Sequence, residues 1–207
     1  MDPVRRRVAQ IEGAQDNVIT RHQLRQAGLS DRQIAGRIAR GELTRLYRGV
    51  YLTGHAPPSL PARARAAVLA CGGRAVVSHE LAAALWGLGE PPRDAEVTVV
   101  AGNPGPKPGI RIHRVAALHP AEIRRRDGVP LTSPARTICD LAARAPRSEV
   151  EWALQEGIVR RLFSEADLEA VLRRTPNRPG TALMRSIMAL EHGPGFTRSA
   201  AERALMR

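Results

Sequence analysis

The stretch ITRHQLRQAGLSDRQIAGRIARGELTRLYRGVYLTG, residues 19–54, constrains the fold more than any other part of the chain. Thr20 is an N-cap residue type whose hydroxyl can accept from an early backbone N–H of a helix. Leu24 and Ala27 follow, three apart on one face. Gly28 stands where a left-handed residue would end that helix. Ser30 then caps a second helix, with Asp31 in the first turn favoured by the macrodipole. In this helix Ile34 and Ile38 form an i,i+4 apolar pair, with Ala35 and Ala39 beside them, and all four are expected to face the core. Arg32, Gln33, Arg37 and Arg40 fall on the other side with Gly36, which weakens a helix by roughly 1 kcal/mol relative to Ala but lets a partner approach the backbone. Leu43–Tyr47 and Val50–Thr53 read as strands around Arg48-Gly49, where the glycine supplies the positive φ of a tight hairpin. Helix, turn, helix and hairpin in this order predict a winged helix-turn-helix, which sets its second helix in the DNA major groove.

The residue types fit that geometry. Arg pairs bidentately with guanine and Gln with adenine, so Arg32, Gln33, Arg37 and Arg40 are candidate groove contacts. Arg45 and Arg48, on or near the hairpin tip, suit phosphates, which position a protein without reading sequence. An ordinary solvated helix also shows such a face; the basic hairpin directly behind it tips the reading toward double-stranded DNA. A net charge of +12 favours a polyanionic partner. That charge is concentrated, with +5 over residues 1–54 and +6 over 101–147, against 0 over 55–100 and +1 over 148–207. Lys107 is the only lysine, and such a preference for Arg is what the codon bias of a GC-rich genome would also produce. With 3% aromatic residues the chain is a poor stacking surface for single strands.

The remainder reads as a mixed α/β region and a helical tail, giving an α+β chain with expected boundaries at 1–55, 62–175 and 176–207. The proline-rich HAPPSLP, residues 55–61, closes the first part. A helix is expected over 62–71, a strand at 75–77, and a helix from Ser78 as N-cap to Gly87. Strands at 96–100 and 110–114 flank GNPGPKPG, which is taken as a hairpin loop, because its prolines remove N–H donors and no Gly-Lys-Ser/Thr follows. Leu131 closes a short strand, and Ser133-Pro134 starts a helix carrying Ile138, Leu141 and Ala142. Asp140 in that helix is read as a surface or capping residue. Ser148 with Glu151 suggests a capping box, and amphipathic helices are expected near 165–174 and 180–191. The amphipathic, charged N-terminus is not expected to act as a secretory leader, and the chain is expected to be cytoplasmic. Cys71 and Cys139 are expected to be reduced core residues.

RGVY of the hairpin, SHELAAALWGL, the strand pair ending in RIHR and LTSPARTICDLA together resemble the AbiEi-type antitoxins of type IV toxin–antitoxin systems, over residues 15–175. The resemblance implies a bacterial transcriptional regulator. In that family the N-terminal winged helix binds inverted repeats at its own promoter, and the second domain counters a cognate nucleotidyltransferase-type toxin. It implies that Arg32, Gln33, Arg37, Arg45 and Arg48 contact operator DNA. GFTRSAAERALMR, residues 195–207, resembles the opening helix of a very-short-patch-repair-like endonuclease module. Glu202 stands where that module carries a helical Glu, but the further carboxylates are missing. The alternative reading is therefore a truncated remnant, or the DNA-targeting part, of a restriction-endonuclease-like protein.

Other chemistry is thin. His79, His113 and His119 lack metal-ligand spacing, Ser78-His79 reads as an N-cap and its neighbour, and Asp94 with Glu96 need not share a face. No catalytic set emerges, so the chain is expected to be no enzyme and to carry no cofactor or metal.

Overall fold

The computed structural model describes residues 3–191. The chain forms two compact units that divide between Ser133 and Pro134, so the domain expected over 62–175 spans this division. The architecture is mixed α/β.

The first unit opens with α1 (Pro3–Ala14), β1 (Val18–Thr20), α2 (Arg21–Gln26), α3 (Asp31–Ala39), β2 (Leu43–Tyr47) and β3 (Val50–Thr53). The three strands form an antiparallel sheet in the order β1-β3-β2. Strand alternation separates its two faces. Ile19, Leu43 and Tyr51 pack under the helices against Val8, Leu24, Ala27, Leu29 and Ile34. Val18, Val50 and Leu52 on the other face pack against Ala62 and Ala66 of α4 (Leu60–Ala70). α1, whose sequence showed only charge and amphipathicity, thus supplies a third helix to this core.

α4 lies between two sheets. Ala64, Ala67 and Val68 on its other side join a second core with strands of a five-stranded sheet. Alanine suits this position because burying it costs no side-chain entropy and a thin helix lets both sheets approach. The second sheet comprises β4 (Ala75–Val77), β5 (Ala95–Val100), β6 (Ile110–Val115), β7 (Ile123–Arg126) and β8 (Val129–Thr132), in the order β6-β5-β4-β8-β7. α5 (His79–Trp86) follows β4 and packs into the same core through Leu81, Ala82 and Leu85. Cys71 and Cys139 are both buried.

Four local expectations are corrected. β5 and β6 are parallel, pairing Ala95 with Ile110 and Val100 with Val115, so GNPGPKPG is a crossover and not a hairpin loop. Extended chain over residues 101–109 reaches about 30 Å at ~3.3 Å per residue, enough to return along a strand of about 20 Å. Ala35 and Ala39 are exposed; α3 is short and turns only a narrow stripe, with Ile34 at its centre, into the core. Asp140 is fully buried, and it accepts from Arg136 and Arg178 at 2.7 and 2.6 Å. Glu151 pairs with Arg147 at 2.7 Å instead of closing a capping box with Ser148, and Pro146 occupies the N-cap.

The second unit contains α6 (Pro134–Leu141), α7 (Arg147–Val159), α8 (Glu165–Arg174) and α9 (Thr181–Glu191), with α6 packed on α7 and α8. Gly180 is required where it stands. Its φ is +87°, and an added Cβ would lie 2.5 Å from the backbone of Ala142 and Ala143. The nuclease-like tail, residues 195–207 with Glu202, lies outside the described residues. Among the described residues no helix is long and apolar enough to cross a membrane.

Candidate nucleic-acid interface

Two reciprocal caps fix the helix pair. The Thr20 hydroxyl accepts from the Gln23 N–H at 3.1 Å, while the Thr20 N–H donates to Gln23 Oε1 at 2.9 Å. Ser30 repeats the device on α3, accepting from the Gln33 N–H at 3.3 Å and donating its own N–H to Gln33 Oε1 at 2.7 Å. Each cap satisfies donors that the helix itself leaves open. Between them Gly28 takes φ +106°. Asp31 then clamps the two helices, lying 2.9 Å from Arg21 and 3.0 Å from Arg25 of α2. The hydrogen bond from Arg21 holds its carboxyl below the usual range.

α3 therefore presents its outer face in a defined orientation. A shallow cleft of about 500 Å³ runs along it, lined by Val4, Arg32, Gln33, Gly36, Arg37 and Arg40 among others. α1 forms the opposite lip, since Val4 is 3.3 Å from the Cβ position of Gly28. Arg5 of α1 is close enough to act on the Glu42 carboxylate, which brings a cation from α1 to the rim that sequence reasoning passed over. The N-terminal RRR run was the available signal.

The candidate contacts differ in what holds them. Gln33 already spends its carboxamide oxygen on the Ser30 cap, leaving its NH₂ to donate. Arg40 lies 2.6 Å and Arg37 3.8 Å from Glu42, and the hydrogen bond from Arg40 lowers the Glu42 carboxyl. Arg32, Arg45 and Arg48 are exposed and make no ion pair among the described residues. The hairpin is short. Gly49, at φ +76°, turns it, and its carbonyl accepts from the Arg21 N–H at 2.8 Å. Its last pair, Tyr47–Val50, is level with the Thr20–Val50 pair of β1. Arg48 thus sits at the tip of a braced hairpin and not on a loose loop.

Residues 6–54 match the family model of the AbiEi antitoxin transcriptional regulators. This AbiEi match begins within α1 and ends one residue past β3, so it takes in the elements that form the first core. It covers less than half of the chain. No curated protein matches the chain.

The structure also joins two motifs outside the AbiEi match, bringing together residues that the sequence offered only one by one. SHELAAALWGL and RIHR meet at Glu96, a buried carboxylate on β5. Glu96 accepts the Glu80 N–H of α5 at 2.9 Å and the Arg111 guanidinium at 2.9 Å, with His113 Nε2 at 3.4 Å. The His79 ring stacks on His113 with centroids 3.5 Å apart. Ser78 occupies the N-cap of α5 without capping it; its hydroxyl instead meets His79 Nδ1 and the Thr98 hydroxyl, each at 2.9 Å. Glu96 replaces the missing cap. Burial pushes its carboxyl up, but hydrogen bonds from His113 and the Glu80 N–H and the nearby imidazoles outweigh it and hold it at about 2. Asp94 lies on an exposed turn and does not pair with Glu96. Among the described residues no group of three or more His, Cys, Asp or Glu is arranged to hold a metal ion.

Proposed function

We propose that the chain is a DNA-binding transcriptional regulator whose first six elements act as a winged helix-turn-helix. We further propose that it is an AbiEi-like antitoxin that represses its own operon and counters a nucleotidyltransferase-type toxin. The observation that carries the DNA reading is the outer face of α3. It bears Arg32, Arg37 and Arg40 beside a cleft on a helix fixed by the reciprocal Ser30–Gln33 cap, and the Arg45 and Arg48 hairpin follows directly. Arginines on a helix held in this way suit base edges in a major groove, and the hairpin arginines suit the adjoining phosphates. The match to AbiEi antitoxin regulators over residues 6–54 supports the regulatory role; the toxin-countering role rests on that likeness.

Gel shifts and nuclease footprinting on the gene's own upstream region test the regulatory reading. Protection of an inverted repeat by the full chain is expected. No protected site at protein concentrations that shift random duplex would refute operator binding.

A further inference from the structure

The crossover between β5 and β6 returns to the hairpin of the first sheet, and this juxtaposition has a consequence for how much DNA the unit can cover. Tyr47, the residue before the hairpin tip, packs against both cores flanking α4. Its ring lies 3.6 Å from the Cβ position of Gly109, at the end of the crossover. Gly109 in turn accepts the Ala95 N–H at 2.9 Å, which ties the starts of β5 and β6 together beside the hairpin. Arg63 of α4 donates to the carbonyls of Pro92 and Arg93, so the turn before β5 is held on the same side. Lys107 is bridged through its backbone to Ile110. The charges of Arg63 and Asp94 both act on the Tyr47 phenol, so one carboxylate stands among these cations. Arg48, Arg93 and Lys107 make no ion pair among the described residues, and Arg48 and Arg93 are exposed.

We propose that Arg93 and Lys107 continue the phosphate-contacting surface of the hairpin onto the second sheet, so that the first unit engages a duplex backbone beyond the reach of α3 and Arg48. This rests on the DNA-binding reading above. The parallel return is what brings the end of the crossover, two residues past Lys107, against the Tyr47 ring. The contacts are to phosphates and carry no base information, so they add affinity and salt dependence without changing sequence preference.

The test is fluorescence anisotropy with a labelled random-sequence duplex and a labelled upstream-region duplex at a series of salt concentrations. Wild type is compared with Arg93→Ala/Lys107→Ala and with Arg173→Ala/Arg174→Ala, which removes the same charge from α8. Each phosphate contact contributes about 0.9 to the slope of log K against log salt. The Arg93/Lys107 variant is expected to lose about 1.8 of slope on both duplexes, with its preference between them unchanged and the α8 variant near wild type. A wild-type slope for the Arg93/Lys107 variant, or an equal loss in the α8 variant, would overturn this inference alone. No duplex binding by the wild-type chain would overturn it together with the reading beneath it.

Discussion

The Glu42 carboxylate lies 2.6 Å from the Arg40 guanidinium, on the rim of the cleft that α3 presents. An acidic residue therefore partly neutralises the candidate contacts Arg40 and Arg37 in the free protein. Both partners of the close pair are well exposed, so its loss should cost the fold little. Glu42→Gln is expected to tighten duplex binding by roughly two- to fivefold, because it removes a repulsion toward phosphate and frees two guanidiniums. Weaker binding by this variant, measured by anisotropy, would place Glu42 among the residues that hold the arginines in position.

Arg37 and Arg48 should fail differently. Arg37→Ala is expected to relax discrimination at one base pair by roughly 1–3 kcal/mol. Arg48→Ala should instead weaken all sequences alike and lower the salt slope by about 0.9. Binding to a panel of singly substituted operators separates the two patterns, and identical patterns would contradict the division between groove and tip.

Ser30→Ala removes the hydroxyl that accepts the Gln33 N–H and should destabilise the first unit by about 1 kcal/mol in denaturant titration. Gln33→Ala breaks the reciprocal half of the same box. A stability loss in Gln33→Ala without a change in base preference would assign Gln33 to positioning α3.

The Glu96 cluster predicts an acid limb. The Glu96 carboxyl is held at about 2, below its ordinary value of 4.5. The stability it contributes is therefore present above about pH 4.5 and is lost as pH falls toward 2. Glu96→Gln should be less stable at pH 7 by about 1–3 kcal/mol and should show a shallower loss between pH 4.5 and 2. A wild-type pH profile in this variant would show that the carboxylate charge is not what seats α5.

In the second unit, Asp140 is enclosed with Arg136 and Arg178. Removing one partner of a buried pair strands the other charge, so Asp140→Ala should cost on the order of 3–5 kcal/mol. Gly180→Ala meets both a positive φ and the Ala142 backbone, and thermal melts should show a comparable loss. A melting temperature within error of wild type for either would contradict the packing described for α6.

What the sequence revealed was what is locally determined. Thr20, Ser30 and Gly49 act within three or four residues of themselves, so caps and turn were legible before any tertiary contact was known. The direction of β6 was not, because an apolar strand pattern is the same whichever way the chain runs, and residues 101–109 are long enough for either direction. The meeting of Ser78, His79, Glu96 and His113 was equally hidden, since three strands and a helix start must assemble before these side chains become neighbours. Asp140 misled for the same reason: its half-buried partner Arg178 lies 38 positions along the chain. In the candidate interface, the hairpin and helix arginines were visible as a pattern, whereas the place of Arg5 depends on how α1 packs beside α3; the tie between Arg40 and Glu42 is local, two residues apart, but needs the turn that joins α3 to β2.

Whether the α3 face reads sequence is answered by a competition titration. The full chain is bound to a labelled duplex of its own upstream region at physiological salt and challenged with unlabelled upstream or random duplex. The upstream competitor is expected to be at least about 10³-fold more effective, and Arg37→Ala is expected to narrow this ratio. Equal competition by the two duplexes would contradict sequence reading by this face.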